Sequence, residues 1–283
     1  MKKISQVYYV NGKFLPAKKA VINVMDIGLL RGFGVFDFIV TYNNHPFLIN
    51  EHIDRLFKSA SLINLNIGKT KEEIKKIIKS TLKKNVWPEE KTIRVVITGG
   101  IGNSSTEPSP KTTLIIIIEP KHNYPQSYYE NGISVITYDY VRPLALSKSL
   151  DYSIAIKSLG LSRKKGGVEA IYIDKKNKTV SEATTSNLFL IKNGKIFTSD
   201  TDVLNGVTRD LIIKLLKKTY PVKKQEIELS KLISADEVFI TASNKEVMPV
   251  VVIDNRKVGK GKVGPITKDV ISIFRNYVNS RKW

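Results

Sequence analysis

A chain of 283 residues, 42% hydrophobic and 25% charged, is long enough for about two domains with sizeable cores. That excludes a peptide hormone or small binding module, and the composition argues against a disordered, collagenous or coiled-coil protein. Zero cysteines exclude disulfides, thiolate nucleophiles and cysteine-ligated metals. No apolar run approaches a membrane span and no signal-peptide pattern opens the sequence, so a cytoplasmic protein without membrane contact is expected. The net charge of +20 could mean a nucleic-acid partner, but nine Arg against 37 Lys is a lysine-biased composition. The lysines are spread along segments such as 71–84, with no interleaving of Arg and aromatic residues, and this argues against nucleic acid.

In chain order, Val7 to Leu15 reads as a hairpin around Asn11-Gly12. Phe36 to Tyr42 reads as a buried strand, turning at Asn43-Asn44. Glu51 to Leu62 is a helix with Ile53, Leu56, Phe57 and Ala60 on one face. A second helix spans Lys71 to Lys84, with Thr70 as N-cap and Glu73 as its capping-box partner. Strands at Arg94 to Ile97 and Thr112 to Ile118 flank a Gly- and Ser-rich loop from Gly99 to Ser109. The proline-containing stretch 120–127 reads as a linker. Beyond it come a strand at Ile133 to Tyr138 and a helix from Ser153 to Lys165 that ends at Gly166-Gly167. Strands follow at Ala170 to Ile173, Asn187 to Ile191 and Lys195 to Phe197. Helices are expected at Thr208 to Thr219 and Ile266 to Tyr277, with strands at Glu237 to Thr241 and Val250 to Ile253 between them. The composite is an α+β (α/β) protein of two domains, 1–119 and 128–283.

Most enzyme templates fail on this sequence. Three histidines, His45, His52 and His122, show no ligand spacing, so no metal site is expected. There is no P-loop, dinucleotide fingerprint or nucleophile elbow. Lysine chemistry remains. The strings Glu51-His52-Ile53-Asp54-Arg55-Leu56, Lys148-Ser149-Leu150-Asp151-Tyr152, Ser181-Glu182-Ala183-Thr184-Thr185-Ser186-Asn187, Asn205-Gly206-Val207-Thr208-Arg209-Asp210 and Gly264-Pro265-Ile266-Thr267-Lys268 recur in order along nearly the whole chain. Together they resemble the fold-type IV (class IV) pyridoxal-phosphate aminotransferases, which include branched-chain and D-amino acid aminotransferases and aminodeoxychorismate lyases. The resemblance implies a smaller N-terminal α/β domain, a larger C-terminal pseudo-barrel domain, pyridoxal 5'-phosphate as cofactor, and a homodimer whose pocket the partner's loop completes.

A lysine must bind the cofactor covalently and then carry a proton, which needs a neutral amine in a partly desolvated place. Lys148 and Lys157 sit in similar local strings, and the resemblance selects Lys148, whose interval to Glu182 is similar to the family's. The resemblance gives Glu182 to the pyridine nitrogen, which keeps the ring an electron sink, and Arg55 to the phosphate. Val207 and Thr208 open a helix after Gly206, where backbone N–H groups form an anion site, and Ser243 matches a further phosphate hydroxyl. Tyr152 resembles a tyrosine that bonds the phenolic oxygen, although it follows the lysine by four residues instead of five; a core tyrosine is the alternative.

The resemblance also implies substrate contacts from Arg31, whose guanidinium could pair with a carboxylate, from Phe36 as an apolar wall with plain strand core as the alternative, from Arg94 toward the distal carboxylate of glutamate, and from the Asn244 backbone. The reading is an aminotransferase acting on a branched-chain or D-amino acid and a 2-oxo acid such as 2-oxoglutarate. An aminodeoxychorismate lyase is the enzymatic alternative, and a basic nucleic-acid-binding protein the alternative of another class.

Overall fold

The computed structural model describes residues 6–104 and 106–281. The chain forms two compact units: one comprises the chain through His122 together with Ser147–Asp151, the other Asn123–Leu146 and the chain from Tyr152 onward. The division falls inside the stretch 120–127 that the prolines mark. Ser105, in the expected Gly- and Ser-rich loop, lies outside the described residues. Among the described residues no helix is long and apolar enough to cross a membrane.

The first unit contains β1 (Val7–Val10), β2 (Lys13–Pro16), α1 (Ile27–Arg31), β3 (Gly34–Tyr42), β4 (His45–Pro46), α2 (Ile49–Leu62), α3 (Lys71–Lys83), β5 (Lys91–Thr98) and β6 (Thr113–Pro120). Its six strands form an antiparallel sheet in the order β2-β1-β6-β5-β3-β4. The first hairpin turns at Asn11 (φ 43°) and Gly12 (φ 92°), two left-handed residues that match the strand twist. Along β3 the side chains alternate: Val35 and Ile39 are fully buried with Asp37 between them, while Phe36 and Phe38 are half-buried on the opposite face. Ile53, Leu56 and Ala60 of α2, with Ile74 and Ile78 of α3, complete the core over Val35, Ile39, Ile93 and Ile97. Each such buried Ile or Leu contributes about 1.5–3 kcal/mol.

The second unit runs through α4 (Gln126–Asn131), β7 (Ile133–Asp139), α5 (Ser153–Lys164), β8 (Glu169–Asp174), β9 (Thr179–Ala183), β10 (Asn187–Lys192), β11 (Lys195–Thr198), α6 (Val207–Leu216), β12 (Val222–Lys224), β13 (Ile227–Glu228), α7 (Leu229–Ile233), β14 (Glu237–Ala242), β15 (Glu246–Ile253), β16 (Arg256–Lys257) and α8 (Pro265–Ser280). Its sheet follows the order β12-β11-β10-β14-β15-β7-β8-β9-β13, with β16 added to β15. The two ends of that path, β12 and β13, are joined by Gln225 and Glu226 alone, so the sheet curls until its edges nearly meet, a pseudo-barrel. Apolar residues from most of its strands fill the interior, Val135, Ile171, Leu188, Ile240 and Met248 among them. Phe189 and Phe239 are directly opposed on β10 and β14, with rings stacked at 4.7 Å.

Several elements were not legible from pattern, among them α1, α4, β9, β12, β13, α7 and β16. α1 is five residues long, too short for a helical period to show, and is held by the Asp26 carboxylate accepting from Gly28 N at 2.8 Å. α4 begins inside the proline-containing stretch, behind Pro125. β9 carries Glu182, and the turn of hydroxyl-bearing residues follows at 184–186.

The capping box of α3 is complete: Glu73 N donates to Thr70 Oγ1 at 3.2 Å and Thr70 N to Glu73 Oε2 at 2.7 Å. Thr70→Ala is expected to cost about 1 kcal/mol and Thr70→Ser almost nothing, read by urea denaturation of the pair against the wild type.

Candidate active site

In the first unit a buried carboxylate organises its surroundings. Asp37 on β3 is fully buried, which is costly for a charge unless donors surround it. Arg55 on α2 supplies two, Nε to Oδ2 and Nη2 to Oδ1, both at 2.8 Å. His52, one turn earlier, donates from Nδ1 to Oδ1 at 2.7 Å. Burial alone raises the Asp37 carboxyl, but Arg55 and then His52 outweigh it and hold the group well below the usual carboxylate range. His52 is pushed the other way from a typical ion-paired histidine: burial lowers it, Asp37 opposes, and Arg55 and Lys148 add to the lowering. It is therefore a neutral imidazole whose proton sits on Nδ1. The arrangement aims and stiffens the Arg55 guanidinium, as a group that grips an anion requires.

Lys148 belongs to the same unit. Residues 147–150 run along the first half of β3: Phe36 N donates to Lys148 O at 2.9 Å, Leu150 N to Gly34 O at 3.0 Å, and Val35 bridges Ser149. Ser59 of α2 clamps the segment, its Oγ accepting from Lys148 N and its carbonyl from Ser147 Oγ, both at 3.0 Å. The Lys148 side chain is half-buried, its ammonium 4.6 Å from the centre of the Phe36 ring. Lys157, by contrast, is exposed on α5. Phe38 is opposite Arg94 on β5, whose guanidinium lies 5.8 Å from the Phe38 ring, so Phe36, Phe38, Arg94 and the Lys148 amine share one face of the sheet. Arg31 is exposed at the C-terminal end of α1, with Nη1 donating to Leu30 O at 2.9 Å.

In the second unit Glu182 is 5% exposed, and both of its oxygens are engaged. Oε1 accepts from Arg142 Nη2 at 2.6 Å and Nε at 3.1 Å; Oε2 accepts from Asn187 Nδ2 at 3.1 Å and Leu204 N at 3.0 Å. Three residues thus supply four donors, which suits an ionised carboxylate. Asn187 also donates to Leu204 O at 2.8 Å, which brings the chain to Gly206. A Cβ at Gly206 would sit 1.8 Å from the Asn187 side-chain oxygen, so only glycine fits between Asn187 and α6. That helix starts with Val207 and Thr208, 7% and 5% exposed, and no side chain caps it. A buried, uncapped helix start calls for an anion on its free N–H groups.

Thr241 stands opposite Asn187 across β10 and β14. Its buried hydroxyl has no hydrogen-bond partner, a position a ligand could fill. Two residues further on, Ser243 and Asn244 occupy the half-buried turn between β14 and β15. Within this unit, then, Glu182, Val207, Thr208 and Ser243 are connected through Asn187 and its strand partner. Tyr152 occupies the N-cap position of α5, without a capping side-chain hydrogen bond, and is half-buried. An anion cradle, a buried carboxylate for a protonated ring nitrogen and an unpartnered hydroxyl fit a phosphorylated pyridine cofactor.

Residues 34–253 match the model of the family described as amino-transferase class IV. The chain belongs to this family. As a class IV aminotransferase it is 37% identical over 279 residues, 95% of either chain, to a protein of Methanocaldococcus jannaschii provisionally named a branched-chain-amino-acid aminotransferase. It is 32% identical to the D-alanine aminotransferase of Staphylococcus haemolyticus, over 96% of this chain and 98% of that one. Among solved structures, the branched-chain amino acid aminotransferase of Escherichia coli superposes with a TM-score of 0.88 at 29% identity, over 96% of this chain and 94% of that one. Another branched-chain amino acid aminotransferase, from T.th. and solved with pyridoxamine 5'-phosphate, gives 0.90 at 26% identity, over 98% and 95%.

Several residues that support the candidate site of this aminotransferase were not found by sequence reasoning. Asp37 reads as a strand residue, and only the fold sets it beneath Arg55 and His52. Arg142 lies 40 residues from Glu182 in sequence, so no local pattern links them, although the scarcity of Arg is itself a signal. Arg209 is buried and fastens α6 to the end of β11, donating from Nη2 to Ser199 O at 2.7 Å.

His52 also sets a pH dependence. The unfolded chain takes up a proton on this histidine near its ordinary value of about 6.5, whereas the folded protein keeps it neutral, so stability is lost as pH falls through that range by up to about 1.4 kcal/mol per pH unit. Asp37 works further down: its contribution is present above the unfolded carboxylate value of about 3.9 and is lost as pH falls through the lower folded value. His45 and His122 are exposed. Thermal melts from pH 7 to pH 5 are expected to fall for wild type and to flatten for His52→Gln; an unchanged slope in the variant would assign the titration elsewhere.

Proposed function

We propose that this class IV aminotransferase uses pyridoxal 5'-phosphate to move an amino group between a branched-chain or D-amino acid and a 2-oxo acid such as 2-oxoglutarate. The observation that carries the reading is the pairing, within one unit, of a buried Glu182 held by four donors with a buried, uncapped start of α6. When bound, the cofactor supplies an electron sink for the carbanion formed at the substrate Cα.

The residues of this chain supply the rest. The Lys148 amine holds the cofactor covalently and moves the proton at the substrate Cα. Ser59 fixes the Lys148 backbone and Phe36 lies against its amine, an arrangement that favours proton transfer along a short path. Glu182 accepts the proton-bearing ring nitrogen, and Arg142 and Asn187 hold that carboxylate in place. Arg55, the N–H groups of Val207 and Thr208, the Thr208 hydroxyl and the Ser243 hydroxyl bind phosphate. Tyr152 orients the ring. Arg31, Arg94 and the Asn244 backbone receive substrate carboxylates, and Phe36 lines the side-chain pocket.

We further propose a homodimer in the cytoplasm. Between the first hairpin and α1, Val21, Val24 and Met25 are 73%, 70% and 55% exposed, and Leu29 within α1 is 60% exposed. Ile101 adds to them at 52%, because Ile27 N donates to Gly100 O. Apolar side chains so exposed and so close in sequence fit a surface that a second copy covers.

Adding pyridoxal phosphate to the purified protein is expected to give a visible absorption band that one of L-leucine, L-glutamate or D-alanine bleaches. Lys148→Ala is expected to lose the band and at least about a hundredfold in rate, while Lys157→Ala keeps both. No band in the wild type would overturn the reading, and release of pyruvate from aminodeoxychorismate would move it to a lyase. For the dimer, Val24→Lys with Leu29→Lys is expected to sediment as a monomer; an unchanged mass would place the interface elsewhere.

A further inference from the structure

One buried ion pair of the second unit has no part in the roles proposed above. Lys245 and Glu169 are 4% and 0% exposed, with Nζ 2.7 Å from Oε1. Oε1 also accepts from Thr185 Oγ1 at 2.5 Å and Ser186 Oγ at 3.1 Å, and Oε2 from Thr185 N at 3.1 Å. Lys245 Nζ donates in addition to Thr185 Oγ1 at 2.7 Å and lies 5.6 Å from the centre of the Tyr124 ring. The pair is therefore fully hydrogen-bonded, with burial opposing the lysine charge and Glu169 more than restoring it.

Burying an ion pair rarely adds stability over an apolar pair of the same size, so its presence asks for another reason, and geometric specificity is one. What the pair joins supplies that reason. Thr185 and Ser186 form the tight turn between β9 and β10, closed by Ala183 N donating to Ser186 O at 2.8 Å; Glu182 precedes this turn and Asn187 follows it. Lys245 closes the turn between β14 and β15, its N–H donating to Ala242 O at 3.1 Å, and Ser243 and Asn244 lie inside. Both turns stand at the same end of the neighbouring strands β10 and β14, just past the Asn187 and Thr241 pair. Beyond that pair the ladder between these two strands no longer sets where the turns point.

We propose that Lys245 is a positioning residue, which through Glu169 and Thr185 ties the turn bearing Ser243 and Asn244 to the turn linking Glu182 and Asn187. The phosphate side and the ring side of the cofactor site are thereby set as one piece within this unit. The proposal rests on the cofactor roles given above for Ser243, Asn244 and Glu182.

The test compares wild type, Lys245→Met and the double variant Glu169→Gln with Lys245→Met, since the single variant leaves a buried carboxylate without its cation and could simply fail to fold. Hydrogen exchange by mass spectrometry on the cofactor-free proteins is expected to show both turns, 183–187 and 241–246, losing protection together in the double variant. Its melting temperature should stay near that of wild type. Spectral titration with pyridoxal phosphate is expected to give a dissociation constant raised by about tenfold or more, with KM for the amino donor raised more than kcat is lowered. Unchanged exchange in the two turns, or cofactor affinity and KM equal to wild type in the folded double variant, would overturn the proposal. A wild type that binds no pyridoxal phosphate would overturn the cofactor reading, while the exchange arm would still report whether the two turns are tied.

Discussion

A carboxylate inside a protein is tolerated only when donors meet its oxygens, and in this protein the donors decide where functional groups stand. Glu182 draws on Arg142 from a loop, Asn187 from the next strand and the Leu204 N–H from the approach to α6. Satisfying one buried charge thus brings a loop, a strand and a helix start to one place. Gly206 follows from the same constraint, because Asn187 cannot reach both Glu182 and Leu204 O if a Cβ occupies its path.

The first unit solves the same problem with Asp37. There Arg55 and His52, one helical turn apart on α2, meet a carboxylate on the strand beneath. The apolar face of α2 sets the spacing, since Ile53 and Leu56 must face β3 and the residue just before each, His52 and Arg55, forms the polar pair. The cost of neutralising Asp37 is offset by an Arg55 guanidinium with few alternative orientations, the property that binding of a phosphate needs. Lys148 reaches this unit on a five-residue segment whose neighbours in sequence belong to the other one. Hydrogen bonds to β3 and Ser59 hold it there.

How much of this was legible in the sequence varies with the range of the interaction. Helices α2, α3, α6 and α8 announce themselves, because an apolar face recurs every three or four residues and Thr70 with Glu73 forms a local cap. Strands β3, β6 and β10 show as β-branched and aromatic runs. The candidate residues Lys148, Arg55, Glu182, Val207, Thr208 and Ser243 were named from motifs whose order along the chain is itself one-dimensional information. Elements too short for a period, α1 and α4, and a strand built of Thr, Ser and Glu, β9, carry no such signal.

The sequence by itself therefore determined the class of protein and the family, and it named the candidate groups for the cofactor. Tertiary structure alone decided what holds those groups: Asp37 beneath Arg55, Arg142 against Glu182, and Lys245 against Glu169 across 76 residues. The physical reason is that burial makes an unpaired charge intolerable, and a partner for a buried charge is chosen by proximity in space. That proximity comes from sheet order and strand register, to which the spacing of residues along the chain is blind.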